Sequence, residues 1–69
     1  MTATSLSQRR KAAGYTQQAF ADALGVSRIT VSYWETGRAQ PNAVNARKVG
    51  DLLGVRDIYE TLPKVTVTV

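Results

Sequence analysis

Four side chains in the stretch GVSRITVSYWETG, Gly25 to Gly37, suit recognition better than bond-making. Arg28 carries a fork of N–H donors, Ser32 and Tyr33 carry hydroxyls, and Ile29 carries exposed methyl groups if it faces outward. Reactive chemistry is poorly supplied. The chain has no cysteine and no histidine, which excludes disulfides and the common zinc-finger ligand sets. Serine, lysine and glutamate are scattered without a motif, so no nucleophile has an identifiable base. The expectation is a binding protein and not an enzyme, with no metal, cofactor or small-molecule ligand.

Whether those four side chains share a face depends on the local structure. From Ile29 to Tyr33 apolar and polar residues alternate, and Ile29, Thr30 and Val31 are β-branched in succession, as in a strand. Ser27 before the run and Gly37 after it mark a capped helix. As a helix, Ile29 to Tyr33 cost about 2–3 kcal/mol together relative to alanine. As a strand, the segment has no partner before residue 64 and its ladder stays unpaired. Packing Val31 and Trp34 into a core offsets the smaller cost, so a helix from Arg28 to Thr36 is expected. At about 100° per residue, Arg28, Ile29, Ser32, Tyr33 and Thr36 then share one side. Thr30, Val31 and Trp34 lie opposite, with Glu35 at the edge. The apolar members of the first group are not needed for the core.

The flanking segments read as further short helices. Ser5-Leu6-Ser7-Gln8 has the form of a capping box opening a helix from about Leu6 to Ala13, stopped at Gly14. Thr16 caps a helix from Gln17 to Leu24, with Phe20, Ala21 and Leu24 on one face and Gly25 closing it. Gln40-Pro41-Asn42 signals a turn, and Asn42 caps a helix from about Ala43 to Leu53. Val44, Val49, Leu52 and Leu53 are its apolar positions. Asp57-Ile58-Tyr59-Glu60 reads as a second capping box before a last short turn that Pro63 stops. Two short helices joined at Gly25, with Phe20 and Ala21 facing Val31 and Trp34, make a helix-turn-helix.

The 69 residues allow one domain, with a core that must be built from short elements. Hydrophobic residues make up 43%, an ordinary globular share. No run approaches the ~18 apolar residues of a membrane span, and the N-terminus lacks the apolar core of a signal peptide. Cysteine-free composition fits a reducing cytoplasm. Net charge is +4, and three of the five acids, Asp51, Asp57 and Glu60, lie toward the C-terminal end. The first fifty residues are thus the more basic, which suits a polyanion partner and equally suits plain solubility.

The pattern Arg10-x-x-x-Gly14-x-Thr16-Gln17-x-x-Phe20-Ala21-x-x-x-Gly25-Val26-Ser27-x-x-x-Val31-Ser32-x-Trp34-Glu35-x-Gly37-x-x-x-Pro41 resembles the Cro and phage-repressor type of helix-turn-helix domain. The resemblance covers about residues 5 to 62. It implies an all-α, lambda-repressor-like DNA-binding domain of five short helices, the third of them in the major groove. Residues 1 to 63 form this domain and residues 64 to 69 a tail. The implied function is a cytoplasmic transcriptional regulator of a bacterial host, a Cro-like homodimer on a two-fold symmetric operator of double-stranded DNA. The competing reading is an antitoxin or protein-interaction module, with the helix-turn-helix as scaffold and the tail binding a partner. No ligand-sensing or self-cleaving domain follows, so control through protein concentration is expected.

Within that resemblance, Arg28 reaches a guanine through two parallel hydrogen bonds, and Ile29 meets a thymine methyl. Their bland alternatives are a solvated charge and packing against the second helix. Ser32 and Tyr33 bond bases or phosphates, and Tyr33 can instead lie along the sugar-phosphate backbone. Gln17, at the start of the second helix, is assigned to phosphate, where free N–H groups also favour an anion, and Gln18 can add to it. Thr36, Arg38, Gln40 and Asn42 follow the third helix and are expected to grip the backbone. Arg10 and Glu35 match a pair joining the first helix to the end of the third. Such a pair contributes ~0–1 kcal/mol at the surface but is costly to break when buried.

Beyond the pattern, Lys64 to Val69 alternates Val65, Val67 and Val69 with threonines, giving one apolar face at strand spacing. A lone strand of this kind is an aggregation hazard, so a second copy pairing about a two-fold axis is expected to cover it. The bland alternative is a frayed terminus. Deleting Lys64 to Val69 should leave helix content unchanged and weaken dimerisation, as measured by sedimentation. Equal dimer dissociation constants for both chains would move the interface to the last helices around Tyr59.

Overall fold

The computed structural model describes residues 5–62. Four α-helices follow one another: α1 (Leu6–Ala12), α2 (Gln17–Leu24), α3 (Arg28–Thr36) and α4 (Ala43–Leu53). The expected fifth helix is a single 3-10 turn, Ile58–Thr61. There is no strand among the described residues, and Val65, Val67 and Val69 lie outside them. No helix among the described residues is long and apolar enough to cross a membrane.

Each α-helix starts where a short polar side chain satisfies a free N–H. Ser5 and Gln8 form the reciprocal capping box, with Ser5 N–H donating to Gln8 Oε1 at 3.0 Å and Gln8 N–H to Ser5 Oγ at 3.2 Å. Thr16, Ser27 and Asn42 each accept from the N–H three residues on, at 3.0, 3.1 and 2.8 Å. The turn between α2 and α3 passes through Gly25 at φ 74°, a conformation that side-chain-bearing residues rarely adopt. α1 ends at Ala12, one residue short of expectation, with Ala13 as its cap.

Asp57 behaves differently from the expected capping box. Its carboxylate accepts from Tyr59 N–H at 3.1 Å, two residues on, while Glu60 N–H donates to the Asp57 carbonyl at 3.3 Å. That local Asx arrangement favours a tight 3-10 turn over an α-helix.

The core gathers Leu6, Phe20, Ala21, Leu24, Val31, Trp34, Ala46, Val49 and Ile58. It takes at least one residue from every helical element, so no element is peripheral. Tyr15, between α1 and α2, sets its ring 5.5 Å from that of Phe20 at 57°, a tilted aromatic contact. Phe20, Ala21 and Val31 are fully enclosed, which is why α2 and α3 pack directly on each other.

The face of α4 departs from expectation. Val44 is 64% exposed, and the buried positions are Ala46, Val49 and Gly50, with Leu52 and Leu53 half-buried. At Gly50 the inward face is held to a glycine by close approach. A Cβ on Gly50 would lie 2.6 Å from the Val55 carbonyl oxygen, a backbone atom that cannot swing aside. The chain after α4 folds back over Gly50, with Val55 N–H donating to the Gly50 carbonyl at 2.9 Å. At about 100° per residue Val44 lies nearly opposite Ala46 and so faces outward, whereas Val49, on the Ala46 side, is buried.

Trp34 is 2% exposed. Replacing it with alanine should cost ~3–5 kcal/mol. That is most of the stability of a domain near the lower end of the usual range, about 5 kcal/mol. Thermal denaturation followed by circular dichroism checks this; a cooperative melt near that of the unchanged protein would contradict the burial of the ring.

Candidate nucleic-acid interface

The outward face of α3 is the one its helical phase requires. Arg28, Ile29, Tyr33 and Thr36 are exposed and Ser32 is half-buried, while Val31 and Trp34 point inward. Ile29 is 55% and Tyr33 42% exposed, so neither apolar surface belongs to the core. Among the described residues the Arg28 side chain has no hydrogen-bond or ion-pair partner. Ser27, which caps α3, also shares a hydrogen bond with Thr30 at 2.8 Å between hydroxyl oxygens, and this holds the first turn firmly.

Behind that face sits a charged node. Arg10 Nε donates to Glu35 Oε2 at 2.7 Å, and both side chains are 7% exposed. Arg10 Nη1 also donates to the Tyr15 carbonyl at 2.7 Å. The second carboxylate oxygen, Glu35 Oε1, accepts from Gln17 Nε2 at 2.8 Å. The pair is therefore buried and not superficial, and it links α1, the α1–α2 loop, the first residue of α2 and the end of α3. No buried side-chain nitrogen or oxygen is left unpartnered among the described residues.

The expected backbone-gripping residues are in different states of readiness. Gln17 spends one amide proton on Glu35 and keeps the other, because a carboxamide nitrogen carries two. Gln18 does the same with Asp22 Oδ1 at 2.9 Å. Asn42 uses its oxygen to cap α4 and keeps its amide nitrogen free to donate. Gln40 is exposed. The Thr36 hydroxyl donates to the Ser32 carbonyl at 2.9 Å, so it can only accept unless it rotates. Arg38 lies with its guanidinium carbon 5.6 Å from the centre of the Tyr33 ring.

Tyr59 is 44% exposed, and its hydroxyl donates to the Pro41 carbonyl at 3.1 Å, fastening the 3-10 turn to the segment before α4.

Three contacts were not readable from the chain: Gln17 to Glu35, Arg10 to the Tyr15 carbonyl, and Arg38 over Tyr33. Only the last has a local signal, an arginine directly after the glycine that ends the helix.

This arrangement of capped α2, tight turn and α3 has known counterparts. The family model for helix-turn-helix proteins matches residues 6–59. The chain belongs to the helix-turn-helix family. Within the helix-turn-helix proteins it is of the Cro and phage-repressor type. It is similar to a Bacillus subtilis (strain 168) protein described as an SPbeta prophage-derived uncharacterized HTH-type transcriptional regulator, YonR, at 38% identity over 50 residues. That match covers 72% of this chain and 46% of the relative, so the chain spans less than half of that relative's length. No solved structure matches this helix-turn-helix chain.

The buried pair generates a stability test. Arg10→Ala would leave Glu35 enclosed with Gln17 as its remaining partner and should cost ~3–5 kcal/mol. Replacing both residues with apolar ones of similar size should cost less than either single change, as compared by urea denaturation. A double variant as unstable as the sum of the single ones would show that the two side chains act independently.

Proposed function

We propose that this protein is a DNA-binding transcriptional regulator, a Cro-like repressor that lays α3 in the major groove of a two-fold symmetric operator. The observation that carries this reading is the outward face of α3, where a guanidinium, a methyl-bearing side chain and two hydroxyls are displayed with no duty to the core. Phage repressors and Cro read base edges with side chains near the start of the equivalent helix. Arg28, the first residue of α3, bonds O6 and N7 of a guanine, the commonest specific contact of its kind. Ile29 covers a thymine methyl, and Ser32 and Tyr33 complete the reading surface.

Gln17, Gln18, Arg38, Gln40 and Asn42 hold phosphates on the two sides of the groove and set the register. Thr36 joins them once its hydroxyl turns from Ser32. The positive balance of the chain favours approach to the duplex. The relative's description as an HTH-type transcriptional regulator supports the same reading.

A single module of this kind buries only ~600–1,000 Å². A homodimer doubles the contact and reads two half-sites about 34 Å apart. The tail Lys64 to Val69, or the surface around Tyr59, supplies the dimer contact. The protein acts on DNA in the bacterial cytoplasm.

Selection from random duplex DNA followed by sequencing should return a nearly symmetric consensus. Arg28→Ala should weaken operator binding by ~1–3 kcal/mol and relax the preference at one base pair per half-site. An unchanged consensus for the variant would remove Arg28 from the reading surface. Failure of the unchanged protein to enrich any sequence would overturn the DNA reading.

A further inference from the structure

The end of α3 is folded back on Tyr33. Gly37, at φ 83°, takes the left-handed conformation and directs its N–H to the Tyr33 carbonyl. Arg38 N–H donates to the same carbonyl at 2.9 Å, and Ala39 N–H approaches it at 3.3 Å. One carbonyl thus receives the three residues that follow the helix, a tightened form of the glycine-terminated helix end. The backbone returns across the residue whose side chain stands on the outward face. The Arg38 guanidinium comes to rest 5.6 Å from the ring centre, within cation–π range.

Tyr33 would otherwise be a half-exposed ring on a helix surface, with two torsions to lose on binding. The cation also lies at the carbonyl end of α3, where the helix dipole favours positive charge. A guanidinium carries five N–H donors, so a cation–π contact with the ring leaves donors for a phosphate.

We propose that Arg38 is a positioning residue for base selection: through its cation–π contact it restrains the Tyr33 ring, and through that ring it sets the base preference at the position Tyr33 reads. This rests on the DNA-binding reading above and adds to it. Arg38 then has two roles at once, charge toward a phosphate and a restraint on a reading side chain. A residue that only neutralised a phosphate would weaken all sequences alike.

The test begins without DNA. In the free protein, the Arg38 side-chain protons should show an upfield ring-current shift by NMR that disappears in Tyr33→Leu. The same resonances at ordinary positions in the unchanged protein would overturn the proposal. Base preference is then measured by competition between the selected operator and single-base variants. Arg38→Ala should lower the preference at the Tyr33 position about two- to fivefold. Tyr33→Leu should lower it at the same base pair, and the double variant should lose no more than Tyr33→Leu alone.

Arg38→Lys keeps the charge but replaces the planar, weakly hydrated guanidinium with a strongly hydrated ammonium, so it should restore the salt dependence of binding while leaving the base preference relaxed. Full recovery of the preference by lysine, or an unaltered consensus in Arg38→Ala, would overturn the positioning role and leave the DNA reading standing. An unchanged protein that selects no consensus would overturn both.

Discussion

The carboxylate of Glu35 lies inside the domain, and the way its charge is satisfied places three of the four α-helices. Burying an ion is expensive unless its lone pairs are met, and here each oxygen has a donor: Arg10 on one side and Gln17 on the other. Arg10 must therefore reach from α1 to the last turn of α3, and it is steadied by the Tyr15 carbonyl on the way. Gln17 must start α2 within hydrogen-bond reach of the same carboxylate. The outward face of α3 is aimed by this node from behind, while Val31 and Trp34 anchor the helix in the core. Apolar packing alone leaves some freedom of rotation between short helices. A directional network with fixed bond lengths removes much of it.

Much of this architecture was legible in the chain because local chemistry and tertiary demand agree. Ser5, Thr16, Ser27 and Asn42 are good caps wherever they occur, and each begins a helix where its side chain requires one. The α3 segment was harder, since its β-branched run favours a strand. It resolves correctly once the cost of an unpaired strand is set against a few kcal/mol of helix propensity. The resulting phase sorts Arg28, Ile29 and Tyr33 outward and Val31 and Trp34 inward, as the burial pattern shows.

Most of what escaped the sequence depends on how closely two segments approach. Hydrophobicity grouped Val44 with Val49, although helical phase sets Val44 nearly opposite Ala46 and outside, and the buried place of Gly50 follows from its contact with the Val55 carbonyl. Asp57 had the form of a capping box, but its carboxylate accepts two residues on, from Tyr59 N–H, and the turn that follows is 3-10. Composition gave no means of deciding whether Arg10 and Glu35 met at the surface or beneath it. The cation–π contact of Arg38 with Tyr33 arises from the path of the backbone beyond Gly37, which a helical projection ending at Thr36 does not contain. Roles of individual side chains toward DNA rest on the exposed chemistry of α3, and the tail valines lie beyond the described residues.

The division of α3 into two faces has an evolutionary consequence. The residues that support the domain, Val31, Trp34 and Glu35, and those that face outward, Arg28, Ile29, Ser32 and Tyr33, are different residues of one helix. Substitutions on the outer set leave the core volume and the buried charge untouched, so most of them cost little stability. Under the proposed DNA reading, a lineage carrying this fold can therefore acquire new target preferences by drift at a few surface codons while the scaffold stays under separate constraint. Tyr33 is the exception. Its ring is tied to Arg38, so change at either position is expected to be followed by change at the other.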